Sequence, residues 1–73
     1  MEKNYEERRR IGERIRQLRI GRNMTQDQLA ELTGLERPHI TRIEAGRYSV
    51  GFDTLQAIAQ ALGCTVDMVR REQ

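Results

Sequence analysis

The chain has 73 residues, a single cysteine, a single histidine, and a formal net charge of +2 from 13 basic and 11 acidic residues. That length suits one small domain, and with Cys64 alone it excludes an intramolecular disulfide and the usual four-ligand structural zinc site. No stretch approaches the roughly 18 uninterrupted apolar residues of a membrane helix. The opening MEKNYEERRR has no apolar run behind it and does not read as a secretory signal. A cytoplasmic protein with no membrane partner is expected. Twelve of the 13 basic residues are arginine, Lys3 being the exception. Arginine suits phosphate and base edges, because its planar fork donates in pairs. An arginine-rich solvated surface is the plainer reading.

The elements follow in chain order. Residues 1–7 show no steady period, and 1–8 read as a flexible N-terminal arm, leaving 9–73 as the folded domain. Helix is expected from about Arg8, where Ile11, Ile15 and Leu18 recur at i, i+4 and i+7 to make one apolar stripe. Asn23 fits a left-handed residue ending that helix, with Met24 turning back to the core. Thr25 and Gln28 form a T-x-x-Q capping box for a second helix whose buried face is Leu29, Ala30 and Leu32. Gly34 closes it. After a turn at Gly34–Leu35, a third helix spans about Arg37 to Ala45. Pro38 stands in its first turn, where a missing N–H costs nothing. Ile40 and Ile43 face inward, Gly46 ends the helix, and 47–51 is a loop. The fourth helix covers Phe52 to Leu62, with Phe52, Leu55, Ile58, Ala59 and Leu62 apolar. Gly63 ends it, and Thr65 caps a short fifth helix, 66–71. The fold class expected is all-α, a compact domain of five short helices.

The segment TQDQLAELTGLERPHITRIEAG carries the functional signal: two short helices joined by a tight turn. An α-helix fits the DNA major groove, where each base pair displays a distinct set of donors and acceptors. A second helix crossing the backbone fixes its register. Such a pair needs apolar inner faces and a polar outer face on the second helix, and this segment supplies both.

These residues closely resemble the lambda-repressor/Cro-type helix-turn-helix family, the xenobiotic-response-element type. Three stretches carry the likeness, in order and at family spacing: Thr25-Gln26-Asp27-Gln28-Leu29-Ala30, then Ile40 to Gly46 after the Gly34 turn, then Leu55 to Gly63. The resemblance implies a lambda-repressor-like domain that binds double-stranded DNA and regulates transcription; a repressor is expected, though the sequence does not separate repressor from activator. It places Arg37, Pro38, His39 and Arg42 at or near base edges. Each arginine is then able to grip a guanine for about 1–3 kcal/mol of discrimination. Thr41 meets a thymine methyl or a phosphate. Thr25 and Gln26 lie at the backbone, Gln26 also bracing the reading helix, and Arg47 and Tyr48 run beside the sugar-phosphate chain with Ser49. It further implies a structural ion pair, Arg19 with Glu44, joining the first and third helices. Two positions depart from the family. Glu36 stands where Ser, Thr or Asp is usual, and Pro38 lacks a long polar side chain, which leaves the target sequence open.

A single reading helix spans few base pairs, so a homodimer on a palindromic operator is expected, with half-sites about one turn apart. Small relatives dimerise through their last helices, which singles out Val66, Met68 and Val69. The core is expected to claim Val66 and Val69, leaving Met68 for the dimer. Arg8, Arg9 and Arg10 admit two readings, a solvated face or a contact with the DNA backbone or minor groove. No nucleotide-binding glycine loop or paired catalytic carboxylates occur, so neither an enzyme nor a cofactor is expected. Cys64 reads as a small core residue. The alternative function is a partner-binding protein on the same fold, an antitoxin bound to a toxin or a controller or docking protein touching polymerase. Arg37 and Arg42 favour DNA reading over it.

Overall fold

The computed structural model describes residues 4–69. Four helices follow in chain order: α1 (Tyr5–Gly21), α2 (Gln26–Thr33), α3 (Arg37–Glu44) and α4 (Phe52–Ala61). No strand occurs among the described residues.

Helix α1 starts at Tyr5, ahead of the expected Arg8, so residues 5–8 of the expected arm are helical. The cause is Asn4, whose side chain accepts a hydrogen bond from the Glu7 N–H at 3.1 Å. Glu6 and Glu7 add negative charge to the first turn, where the helix dipole favours it. At the other end Asn23 adopts φ 55°, the one positive value outside glycine among the described residues. The Asn23 N–H then reaches Ile20 O and the Met24 N–H reaches Arg19 O, which closes the last turn. Met24 is thereby turned onto the core, as expected.

The expected capping box is formed at α2. Thr25 Oγ1 accepts from the Gln28 N–H at 3.0 Å, and Gln28 Oε1 accepts from the Thr25 N–H at 2.8 Å. Helix α3 has no side-chain cap, because Glu36 makes no such bond. Its proline at the start and its left-handed Gly46 at the end set its length instead.

Ile15, Leu29, Ala30, Ile40, Ile43, Ile58 and Leu62 form the buried core, with Ile11, Leu18, Met24, Leu35, Val50, Leu55, Ala61 and Cys64 packed around it. Helix α1 lies against α3, and α2 lies against both α3 and α4. Gly12 makes the first of these contacts close. A β-carbon there would collide with Ile43 O and lie 2.7 Å from Glu44 O.

Three expectations are corrected. Leu32, expected on the buried face of α2, is 63 % exposed, and Phe52, one of the apolar positions expected of α4, is 64 % exposed. An eight-residue helix such as α2 buries a narrow stripe, here Leu29 and Ala30, and Leu32 falls beyond its edge. Phe52 is the first residue of α4, and Val50 and Leu55 on either side of it fill the core in its place. The third correction is the fifth helix. Residues 64–69 are irregular, and Val66, Met68 and Val69 are all exposed, so the core does not claim Val66 and Val69. Asp67 Oδ1 takes the Met68 N–H at 2.8 Å, a local bond that competes with helix. So short a segment has no helical stability without packing. Residues 70 and 71 of that expected helix lie outside the described residues.

Candidate nucleic-acid interface

Helix α3 buries Ile40, Ile43 and Glu44. With 3.6 residues per turn, the opposite face is then Pro38, Thr41, Arg42 and Ala45, and all four are exposed. Arg37 stands on the flank toward α2. Its Nε lies 3.9 Å from Asp27 Oδ1, in an ion pair whose side chains are 63 % and 72 % exposed. A pair so open to solvent contributes little to stability and leaves the guanidinium available.

His39 occupies the other flank. It is half-buried, with its ring edge-on to Tyr48 at 4.5 Å between centroids and 85° between planes. Its Nε2 is covered and has no hydrogen-bond partner. The expectation put His39 with the outward residues. Its angular position, about 100° from the middle of the buried stripe, turns it sideways into the loop that follows α3. Arg47, Tyr48 and Ser49 of that loop are exposed.

Beneath this face lies the expected ion pair. Arg19 donates from Nε to Glu44 Oε2 at 2.6 Å and from Nη2 to Glu44 Oε1 at 3.0 Å. Its Nη1 donates to Met24 O at 2.8 Å. The residues are only 9 % and 7 % exposed. The hydrogen bond to Glu44 holds the Arg19 guanidinium's proton more tightly than usual, against the opposing effect of burial. Bidentate geometry of this kind is what allows a buried pair to offset its desolvation.

Gln26 links the pair to the surface. Its Nε2 donates to Glu44 Oε1 at 3.1 Å, and its Oε1 accepts from Thr41 Oγ1 at 2.9 Å. The Thr41 hydroxyl also lies 3.1 Å from Arg37 O, and its one proton serves one acceptor at a time. An amide has two donor hydrogens, so Gln26 keeps one N–H for a ligand. Sequence reasoning gave Gln26 a bracing role on the reading helix but not its partners there, Glu44 and Thr41. It joined α1 to α3 through Arg19 and Glu44 but missed the close backbone contact at Gly12. Gly12 carries that signal, since a glycine within a helix marks a close backbone approach.

The described residues hold no group of three His, Cys, Asp or Glu side chains arranged for a metal. None of the helices is long and apolar enough to cross a membrane.

The sequence profile of the helix-turn-helix family HTH_3 matches residues 15–69, which spans α2, α3 and α4 whole. The chain belongs to this helix-turn-helix family. It is 41 % identical over 63 residues to the immunity repressor protein of Bacillus phage phi105, covering 86 % of this chain and 44 % of the repressor. It is 35 % identical over 63 residues to the control protein C.SmaI of Serratia marcescens, covering 86 % of this chain and 75 % of that one. Among solved structures, the restriction-modification controller protein C.AhdI from Aeromonas hydrophila superposes with a TM-score of 0.80 at 32 % identity. That match covers 82 % of this chain and 91 % of C.AhdI. The chain spans less than half of the phage repressor and 28 % of the transcriptional activator BcrR of Enterococcus faecalis. By name these relatives are a repressor, a control protein and a transcriptional activator.

Proposed function

We propose that this protein is a sequence-specific repressor that binds a palindromic operator as a homodimer, each copy laying α3 in the major groove. The observation that carries the reading is the outward face of α3. Pro38, Thr41 and Arg42 are exposed there, with Arg37 at the flank. Glu44 on the buried side of the same helix is held by Arg19 in a bidentate ion pair that fixes the helix to α1. In this reading Arg37 and Arg42 contact base edges, Pro38 meets a thymine methyl, and Thr41 reaches a phosphate or methyl group. Thr25 and the spare N–H of Gln26 grip one phosphate strand, and Arg47 and Tyr48 the other. His39 contributes from the edge of the face, through the Tyr48 ring that it supports. Val66, Met68 and Val69 supply apolar surface for the second copy.

A controller reading has its own support. Two of the similar proteins are a control protein and a restriction-modification controller, and the chain spans most of each. A controller of this kind would read DNA through the same face and would add a protein contact, such as polymerase.

Selection from a pool of random duplexes at about 150 mM salt tests the DNA reading, since specific binding persists where the electrostatic part is weakened. Enrichment of an inverted repeat is the expected result. Salt-sensitive retention with no enriched motif would remove sequence-specific regulation and leave a partner-binding role.

A further inference from the structure

Three consecutive arginines open α1, and the structure gives them different surroundings. Arg10 is neutralised within its own helix, with Nε 2.7 Å from Glu7 Oε2 and Nη2 2.9 Å from Glu7 Oε1. Arg8 lies over the Tyr5 ring, 5.1 Å from its centroid. Arg9 has neither kind of neighbour. Among the described residues it makes no ion pair and no side-chain hydrogen bond. Its stem is nonetheless fixed, because it presses against Gly46 at the end of α3. A β-carbon at Gly46 would lie 2.7 Å from Arg9 Cγ and 2.8 Å from Arg9 Cα. The next residue is Arg47, also exposed and also without an acidic partner. Tyr48 and Ser49 follow, and they share with Arg8 and Ile11 a groove of about 410 Å³ between α1 and the loop.

The packing of Arg9 on Gly46 brings the stem of one exposed arginine to the residue before another, and neither Arg9 nor Arg47 has an acidic partner among the described residues, so the positive charge there favours an anion nearby. We infer that Arg9 is a phosphate contact, and that the nucleic-acid interface runs from the Arg47–Ser49 loop onto the first helix. The inference rests on the DNA-binding reading given above and extends it to an element outside the helix-turn-helix pair. Arg9 carries no sequence preference in this role. It adds to affinity on any duplex and to the dependence of binding on salt. The rival role for the same residue is purely structural, a cation near the C-terminus of α3 where the helix dipole favours it.

The test is the salt dependence of binding to one fixed duplex, measured for the full chain and three variants. Arg9→Gln keeps the stem that packs on Gly46 and removes the charge. Arg9→Lys keeps the charge. Arg14→Gln makes the same change in net charge on the side of α1 turned away from α3. Each phosphate contact adds about 0.9 to the slope of log affinity against log salt. R9Q is therefore expected to lower the slope by about one unit. Between about 50 and 200 mM salt it then loses roughly threefold less affinity than the wild type. Its ranking of duplex sequences stays the same, and R9K and R14Q keep the wild-type slope. A wild-type slope in R9Q overturns the inference. An equal drop in R14Q overturns it too, because the effect is then one of overall charge. A lowered melting temperature in R9Q with an unchanged slope assigns Arg9 to the structural role. If the wild type binds no duplex at any salt, the DNA reading itself fails, and Arg9 with it.

Discussion

The junction of α1, α2 and α3 and the segment after α4 are opposites in construction. At the junction, Arg19, Glu44, Gln26 and Thr41 are joined by hydrogen bonds of 2.6–3.1 Å, and the charged members are buried. In residues 64–69 the backbone is irregular, and Val66, Met68 and Val69 face solvent. The junction is settled within one chain, since both of its charged groups already have their partners and only one N–H of Gln26 is left over. The later segment leaves Met68 and Val69 97 % and 87 % exposed, so its apolar side chains contribute little to the core of this chain.

The largest effect should come from breaking the junction. Glu44→Ala leaves a buried guanidinium uncompensated and is expected to cost about 3–5 kcal/mol. In a chain of this size that unfolds much of the population. Glu31→Ala, at an exposed site of the same charge, should stay within about 0.5 kcal/mol. Thermal melts followed by circular dichroism compare the two directly, and equal melting temperatures would refute the structural role of the pair.

Gly12→Ala comes next. Alanine favours helix over glycine by about 1 kcal/mol. Here, however, its methyl meets Ile43 O and Glu44 O, which are backbone atoms and cannot swing aside. Overpacking of this kind costs about 1–3 kcal/mol, so a net loss is expected in the same melts. A more stable variant would show that α1 can move off α3 freely. Thr25→Ala removes the cap of α2 and should cost about 1 kcal/mol. Its DNA affinity should fall further than that loss of folding explains, if Thr25 also meets the backbone. The smallest effect on the single chain is expected from Met68→Asp, within about 0.5 kcal/mol in a melt of dilute protein. Sedimentation should then show the dimer population shifted toward monomer. An unchanged dimer would move the interface away from this segment.

The same contrast governs what was legible in the sequence. The junction region announced itself through local chemistry: Thr25 with Gln28, Asn23 before Met24, Pro38 at the head of α3 and Gly46 at its end each specify one backbone geometry. The pairing of Arg19 with Glu44 spans 25 residues and has no local signature. It was expected only through the family resemblance. The early start of α1 rests on one bond from Asn4, which the lack of apolar period in residues 1–7 concealed. Leu32, Val66 and Val69 read as inward on hydrophobicity alone. In short elements the capacity of the core, not the apolar character of a side chain, decides what is buried. His39 was misread by a fraction of a turn, enough to take its Nε2 out of reach of solvent and set its ring against Tyr48.

The outward face of α3 has a consequence for how such a protein changes over time. The side chains of Pro38 and Arg42 make no hydrogen bond or ion pair within the described residues, and that of Arg37 joins only an exposed pair at 3.9 Å. Pro38 helps to set the start of the helix, but neither arginine side chain is needed to hold it in place. The two arginine positions can be rewritten one at a time while the scaffold stays intact, so retargeting to a new site meets little resistance from folding. Thr41 is the exception. Through Gln26 it is tied to the buried pair, and it marks the point where a new specificity would begin to disturb the fold.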